Sequence, residues 1–306
     1  ALLVTMHHII SDGWSMEIFN RELGILYNAF CHNQSSPLAD LPIQYLDYSV
    51  WQRQQTDILQ QQLSYWKQQL DSVPKSLDLP TDKIRPTVQS FTGNRFSIEI
   101  PPALSETLKD LAKRENVTLF MLLLSAYQLL LHRYSGQNDI LVGTPIAGRT
   151  QTEFEGLIGF FVNSLVIRAR ISPDLSFNQL LAQVKETSLS AFDHQEIPFE
   201  KLVEALAPQR DMSRNPLFQV MFSLQNDTLT LPQMEQLNVR NLDLSIGKAK
   251  FDLTLFIRQR NNGLQASFNY ATDLFDPSTI ERMAGHYLTL LTAIAEYPNK
   301  AITELP

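Results

Sequence analysis

The sequence is poor in cysteine, in runs of basic residues and in long apolar stretches. Cys31 is the single cysteine among 306 residues, so no internal disulfide can form. No charged segment followed by an apolar one opens the chain, which together with the lone cysteine predicts a reducing, cytoplasmic location. The formal net charge is −7 and no basic run is present, so nucleic acid is not an expected partner.

The most apolar stretch is also too short to cross a membrane. Residues 119–131 (LFMLLLSAYQLLL) contain Ser125 and Gln128 and are followed by His132 and Arg133. A membrane span needs roughly 20 apolar residues, so this stretch predicts a buried core helix and no membrane is expected as a partner.

A mixed pattern of strands and helices, without repeats or regular βαβ units, predicts an α+β fold. Strands are expected at 2–6, 96–100, 140–143, 162–170, 217–224, 251–258 and 264–270, with the last two joined by a hairpin turn at 260–263. Helices are expected after Asp12, at 45–70 with a break near Thr56, and at 177–192, 198–207 and 277–295. Ser105 and Thr118 are predicted to cap two more helices, the second of which ends at Gly136, and Asp276 to cap the last. Residues 74–86, with three prolines, predict an irregular crossing segment.

The densest group of polar side chains follows the first expected strand, in the sequence HHIISDG at 7–13. A histidine at a strand end can act as a general base when a carboxylate lies four residues on and a glycine lets the backbone approach a ligand. Taken alone, the pattern favours a partly buried pair, His7 and His8, beside an Asp12 that caps the next helix. Zinc ligation is a third interpretation, although no further His or Cys lies nearby.

Four further motifs follow HHxxxDG in order along the chain. They are YLDYSVW at 45–51, IGFFVN at 158–163, HQEIPFE at 194–200 and RDMSRNPL at 210–217. Together the five resemble the successive signature motifs of the condensation domains of nonribosomal peptide synthetases. HHxxxDG alone is a weak signal, whereas five motifs in this order over nearly the whole chain are a specific one.

Structural roles are nevertheless expected for many residues of these motifs. Tyr48 and Trp51 lie three residues apart on a helix, which favours core packing. Asn163 is expected to satisfy backbone groups, and Pro198 to be the first residue of a helix. Arg210 and Arg214 are expected to pair with Asp211.

The resemblance implies a mixed α/β sandwich made of two chloramphenicol-acetyltransferase-like lobes arranged as a V. Residues 1–42 are then the end of the N-terminal lobe, which carries the HHxxxDG loop. Residues 43–306 are the C-terminal lobe, ending at the linker toward an adenylation domain; the segment 74–86 is a rival boundary. Most of the N-terminal lobe is missing in this interpretation. The chain is therefore expected to be a piece of a multidomain synthetase that associates with itself and is inactive alone.

The resemblance also implies an acyl transfer in secondary metabolite biosynthesis. The α-amine of an acceptor aminoacyl thioester attacks a donor thioester, and both are carried on the phosphopantetheine arms of upstream and downstream peptidyl carrier domains. The domain itself then needs no bound cofactor and no metal. His8 is the implied catalytic residue, either as general base or as the group that orients the amine and stabilises the tetrahedral intermediate. His7 shares its motif, Gly13 brings its backbone near the reacting centre, and Asp12 is held by an arginine from a motif upstream of this chain.

Within the family, MHHIISDGWSM and HQEIPFEKLVE resemble domains that accept an L-configured donor. An epimerisation domain and an ester-forming acyltransferase are rival functions, because both share HHxxxDG. The stretches PFEKLVE and RDMSRNPL and the C-terminal ITELP argue against them. A non-catalytic module that docks carrier proteins is a third alternative, against which the intact His8 argues.

Overall fold

A computed structural model describes residues 2–206, 211–225, 231–240, 242, 247–260 and 263–306. The chain divides into two compact units, each assembled from separated stretches of sequence. Unit 1 comprises Ala1–Gln61, Ile146–Asn163 and Thr228–Ser245, and unit 2 comprises Gln62–Pro145, Ser164–Asp227 and Ile246–Pro306. The division into lobes at residue 42 stays a prediction.

Unit 1 is helical where the structure describes it. It holds a short 3₁₀ helix (His8–Ile10), α1 (Gly13–Cys31), α2 (Tyr45–Gln54), the start of α3 (Thr56–Gln69) and α6 (Thr152–Glu155). The break between α2 and α3 confirms the expected interruption near Thr56. A core cluster is formed by buried Tyr48, Phe154, Leu157 and Phe161, against which Ile43, Tyr45 and Trp51 pack. The predicted packing role of Tyr48 and Trp51 is therefore confirmed.

Unit 2 carries a mixed sheet with the strand order β1-β6-β5-β4-β2-β3. The strands are β1 (Gly93–Ile100), β2 (Asp139–Ile146), β3 (Asn163–Arg170), β4 (Val220–Gln225), β5 (Leu253–Arg260) and β6 (Gly263–Ala271). Strand β6 is antiparallel to β1 and β5, whereas β4 is parallel to β5 and β2. The helices are α4 (Pro102–Arg114), α5 (Leu119–Ser135), α7 (Phe177–Asp193), α8 (Phe199–Leu206) and α9 (Pro277–Glu296). The mixed α+β architecture is as predicted, and β5 and β6 pair up to Arg260 and Gly263, although Asn261 and Asn262 of the turn lie outside the described residues.

Helix α5 is the predicted core helix of unit 2. Thr118 caps it, because its Oγ1 accepts a hydrogen bond from the Met121 N–H at 3.2 Å, and Gly136 ends it with a left-handed φ of 69°. Every residue from 121 to 131 is buried. Among the described residues no single helix has the length and apolar character to cross a membrane; α4 and α5 meet that requirement only when taken as a pair, across a bend of 106°.

Residues 2–6 do not form the expected strand. No described strand pairs with them, and the side chains of Leu2 and Leu3 are 72% and 78% exposed. An apolar run becomes a strand only when a neighbouring strand satisfies its N–H and C=O groups.

Two expected helix starts are corrected, and a third is confirmed. Helix α4 begins at Pro102, whose fixed φ suits the first helical position, so Ser105 is not its cap. Ser105 lies buried within α4 and donates a hydrogen bond to the Ile100 carbonyl at 3.2 Å. Helix α8 begins at Phe199, one residue after Pro198. Asp276 is the cap residue of α9 and Pro277 its first residue, as predicted. The Asp276 carboxylate pairs with Lys83 Nζ at 3.0 Å and makes no capping hydrogen bond among the described residues.

The core of unit 2 offers a stability test in two tyrosines. The Tyr127 hydroxyl on α5 is buried and has no hydrogen-bond partner among the described residues, and burial raises the pKa of Tyr127. The equally buried Tyr287 hydroxyl donates to the Leu123 carbonyl at 3.0 Å. Tyr127→Phe should therefore raise the free energy of unfolding by about 1 kcal/mol, because an unsatisfied buried hydroxyl is removed. Tyr287→Phe, the matched control, should lower it by a similar amount. Urea titration measures both, and a loss of stability in Tyr127→Phe would contradict the prediction.

Candidate active site around His8

His8 is the exposed first residue of the 3₁₀ helix that precedes α1. Its Nδ1 lies 2.6 Å from the carbonyl oxygen of Ser11. Because a carbonyl oxygen can only accept a hydrogen bond, Nδ1 carries the proton in this contact. In the neutral ring Nε2 is then left with a free lone pair, which is the form that a general base requires.

His7 is arranged differently from its neighbour. Its Nδ1 accepts a hydrogen bond from the Ile9 backbone N–H at 3.1 Å, so the ring caps the 3₁₀ helix. The two histidines therefore use the same ring atom in opposite ways, one as an acceptor and one as a donor. This geometry gives His7 a structural contact and leaves the Nε2 lone pair of His8 open.

Asp12, the acidic residue of the motif, is the cap of α1 and is buried. Its Oδ1 accepts hydrogen bonds from the backbone N–H and the hydroxyl of Ser15, at 2.8 and 2.7 Å. Its Oδ2 accepts from the Phe161 backbone N–H at 3.0 Å. Arg149 supplies the counter-charge, with Nη2 at 3.3 Å from Oδ1, and the two side chains of this ion pair are 1% and 3% exposed. The predicted cap is confirmed, and Asp12 also joins two separated stretches of unit 1, 1–61 and 146–163.

Ser15, in the first turn of α1, adds further hydrogen bonds between α1 and the stretch 146–163. Its Oγ accepts from the Gly159 N–H at 3.0 Å and from Arg149 Nη2 at 3.1 Å. Its own proton has two acceptors within reach, Asp12 Oδ1 at 2.7 Å and the Gly159 carbonyl at 2.8 Å. The loop that begins at Gly159 is therefore bound to the start of α1 by side-chain and backbone hydrogen bonds together.

Arg149 is the functional residue that sequence reasoning missed. The prediction that the arginine partner of Asp12 lies upstream of this chain is wrong, because Arg149 lies 137 residues downstream. Its guanidinium also donates to the carbonyls of Phe154 and Leu157 and lies 4.0 Å from the ring centroid of Phe161. The only sequence signal was Gly148, directly before it at the end of a strand. Gly148 has a φ of 66°, and a Cβ there would lie 1.9 Å from the Phe161 carbonyl oxygen.

The ionisation of Asp12 reflects a balance between burial and hydrogen bonding. Burial opposes the charged carboxylate, but the hydrogen bonds from Ser15 and Phe161 and the charge of Arg149 outweigh it, so the pKa of Asp12 lies below its ordinary value. For Arg149, burial lowers the pKa of the guanidinium and the carboxylate of Asp12 opposes that effect. Both groups carry their charges at neutral pH.

Gly13 is the first residue of α1, and no contact with the described residues requires a glycine there. A Cβ built at this position meets no atom of the described residues within 4 Å. The space in front of its backbone is therefore open on the side where a side chain would project. That this space admits a substrate stays a prediction.

The motif HQEIPFE is anchored within unit 2 by one face of α3. Gln62 Oε1 accepts from the N–H groups of Glu196 and Ile197, at 2.8 and 3.1 Å. Trp66 Nε1 donates to the His194 carbonyl at 2.8 Å, and the Tyr65 ring stacks on the His194 ring at a centroid distance of 3.8 Å. These contacts indicate a structural role for the motif.

In RDMSRNPL, Arg214 makes its contact-distance ion pair with Asp78, at 3.6 Å between Nη1 and Oδ1. The Asp211 carboxylate accepts from the backbone N–H and hydroxyl of Ser213, at 2.8 and 2.6 Å. These hydrogen bonds lower the pKa of the Asp211 carboxyl, and the charge of Arg214, acting from a longer distance, contributes to the same shift. Arg210 lies outside the described residues.

Comparison with known proteins agrees with this combination of fold and motifs. A family model described as "Condensation domain" matches residues 1–306. The chain belongs to the condensation domain family. A linear gramicidin synthase of Brevibacillus parabrevis is 50% identical over 99% of this condensation domain, and a surfactin synthase of Bacillus subtilis (strain 168) is 43% identical over 99%. The chain spans 6% and 8% of the length of these two relatives.

Solved structures of related domains share the fold. The X-domain from teicoplanin biosynthesis is matched with a TM-score of 0.90 and 26% identity, over 98% of this condensation domain and 70% of that chain. A four-domain nonribosomal peptide synthetase bound to AMP and glycine is matched with a TM-score of 0.85 and 28% identity, over 98% and 24% of the two chains. The resemblance to condensation domains of nonribosomal peptide synthetases, predicted from the five motifs, is confirmed.

Asp12→Asn tests the buried ion pair. The substitution keeps the shape but leaves the buried guanidinium of Arg149 without a counter-charge, so we expect the free energy of unfolding at neutral pH to fall by about 3 kcal/mol. Asp211→Asn is the matched control, because that carboxylate is exposed and accepts hydrogen bonds only from Ser213 among the described residues. The control should change stability little. Equal stability of Asp12→Asn and the parent in urea would contradict the prediction.

The same ion pair predicts a pH dependence. Because the folded pKa of Asp12 is lowered, its contribution to stability is fully present above the unfolded pKa of about 3.9 and is lost as the pH falls through the folded value. The parent should therefore lose more stability than Asp12→Asn below about pH 4. Urea titrations in small pH steps measure this difference, and parallel curves would contradict it.

Proposed function

We propose that this condensation domain forms a peptide bond between two thioester-bound substrates and that His8 is its catalytic base. The observation that supports the proposal is the contact between His8 Nδ1 and the Ser11 carbonyl, which leaves the lone pair of Nε2 free. The substrates are a donor aminoacyl or peptidyl thioester and the α-amine of an acceptor aminoacyl thioester. Both belong to carrier domains, so no cofactor is proposed for the domain itself.

In the proposed step the acceptor amine attacks the donor carbonyl and gives a proton to His8 Nε2. A C–N bond forms and a tetrahedral intermediate results. When the intermediate collapses, the C–S bond breaks and His8 returns the proton to the departing thiolate. The base is regenerated, and no oxidant or reductant is needed. Asp12 and Arg149 act on this step only by holding the turn that presents His8.

The finer assignments belong to the same proposal. An L-configured donor is favoured by the motif sequences at 6–16 and 194–204. Upstream and downstream carrier domains and an adenylation domain are the proposed partners, in line with the far longer synthases that the chain matches. The single cysteine supports a cytoplasmic location. Inactivity of the chain by itself stays a prediction.

A docking function is the second candidate. It is favoured by the likeness to an X-domain that has been solved in complex with OxyB, with a TM-score of 0.89 and 27% identity. A docking module needs no proton acceptor, so its partner binding would be indifferent to substitution of His8.

His8→Ala separates the two candidates. In the full-length synthetase with both carrier domains loaded, we expect single-turnover condensation to fall by ~10²- to 10⁴-fold, the contribution of a general base. His7→Ala is the matched control and should cost much less, because it removes only the cap of the 3₁₀ helix. A rate within about twofold of the parent in His8→Ala would rule out the general base.

Gly13→Ala tests the open space at the start of α1. Because a Cβ there meets no protein atom within 4 Å, the melting temperature should stay unchanged while condensation slows. Gly148→Ala is the contrasting variant and should lower the melting temperature, because its Cβ would collide with the Phe161 carbonyl. Unchanged condensation in Gly13→Ala would show that substrate does not approach this backbone.

A further inference from the structure

The loop 159–161 is held by buried polar groups on three sides. Ser15 bonds both backbone groups of Gly159, and Asp12 accepts from the Phe161 N–H. The Tyr45 hydroxyl donates to the Phe160 carbonyl at 2.8 Å. All three backbone positions of the loop are therefore fixed by side chains of unit 1.

The two phenylalanines of this loop have different surroundings. Phe161 is buried in the core cluster of unit 1 and lies beneath the guanidinium of Arg149. Phe160 is only half-buried, and its ring lies against the imidazole of His8, with centroids 5.4 Å apart and planes at 89°. This is the edge-to-face geometry that aromatic pairs prefer.

His8 thus makes two contacts: the hydrogen bond of Nδ1 with the Ser11 carbonyl and the edge-to-face contact of the imidazole with the Phe160 ring. The Ser11 carbonyl selects which nitrogen carries the proton, because a flip about the Cβ–Cγ bond would put a carbon in place of Nδ1. Rotation about the preceding bond, Cα–Cβ, would carry Nδ1 away from that carbonyl and break the hydrogen bond. The perpendicular ring of Phe160 occupies the neighbouring space and opposes this rotation.

We propose that Phe160 is a positioning residue for His8, which keeps the imidazole in the orientation that leaves Nε2 open as the proton acceptor. Asp12, Ser15 and Arg149 contribute indirectly to the orientation of His8, because Asp12 and Ser15 hold the loop from which the Phe160 ring projects and Arg149 binds both of them. This inference rests on the proposed function of His8. It gives a role to the side chain of Phe160, the first phenylalanine of the IGFFVN motif. That side chain is not part of the core cluster, and the hydrogen bond from Tyr45 uses only the backbone carbonyl.

The test uses Phe160→Ala and Phe160→Leu, with Phe160→Tyr as the variant that restores the ring. In the full-length synthetase, removal of the ring should lower the single-turnover rate by ~10- to 100-fold, the usual cost of a misplaced catalytic group, with the KM for the loaded acceptor carrier unchanged. Phe160→Tyr should recover most of the rate. Ile158→Ala is the matched control, because Ile158 is an exposed side chain two residues earlier in the chain.

A second measurement reads the imidazole directly. The chain is labelled with ¹⁵N-histidine, and the signal of His8 among the six histidines is identified by its loss in His8→Ala. The parent and Phe160→Tyr should give one Nδ1–H tautomer. Phe160→Ala and Phe160→Leu should give a mixture of tautomers or an exchange-broadened signal. Leu keeps apolar volume in the loop, so it remains informative if the Ala variant is destabilised.

The outcomes separate this inference from the proposed function. An unchanged rate and an unchanged His8 signal in both ring-deleted variants would overturn the role of Phe160 without affecting the proposal that His8 is the base. A lower rate with an unchanged tautomer would also overturn it, because Phe160 would then act by another contact. If His8→Ala remains active, the proposed function fails, while the tautomer measurement still decides whether Phe160 fixes the ring.

Discussion

The buried carboxylate of Asp12 is the group around which unit 1 is organised. It caps α1 through Ser15, receives the backbone N–H of Phe161 and faces the guanidinium of Arg149. A charge taken out of water is tolerated only where several donors replace its hydration, and here those donors come from two stretches of chain, 1–61 and 146–163. Each stretch is therefore held in place by the same oxygen atoms. The conformation of the HHxxxDG turn therefore depends on the hydrogen bonds and the ion pair of Asp12 as much as on the residues of the turn itself.

Aromatic side chains connect this ion pair to the core cluster of unit 1. Phe161 lies under the guanidinium of Arg149 and also belongs to the core cluster with Tyr48 and Phe154. The charge pair is thus covered by apolar surface rather than by water, which strengthens its attraction. The turn that carries His8 and the packing around Tyr48 are consequently parts of one arrangement.

Local features were readable from the sequence, and distant pairings were not. The Asp12 cap, the break near Thr56 and the buried α5 follow from residues within a few positions of one another. Pairs such as Asp12 with Arg149, or Arg214 with Asp78, join residues far apart, and charge alone does not say which acid meets which base. Residues 2–6 have the composition of a strand, but no strand among the described residues pairs with them, and a sequence pattern does not reveal whether such a partner exists. The five motifs identified the family, whereas the tautomer of His8 required coordinates.

The discontinuity of unit 1 also bears on the synthesis of the chain. Asp12 and Arg149 are 137 residues apart, and unit 1 draws further residues from 228–245. At the ~5–20 residues per second of a ribosome, Arg149 emerges roughly 7–27 seconds after Asp12. During that interval the Asp12 carboxylate is without its counter-charge, the guanidinium of Arg149. The turn that carries His8 therefore reaches its final form only after the stretch containing Arg149 and Phe161 has left the ribosome.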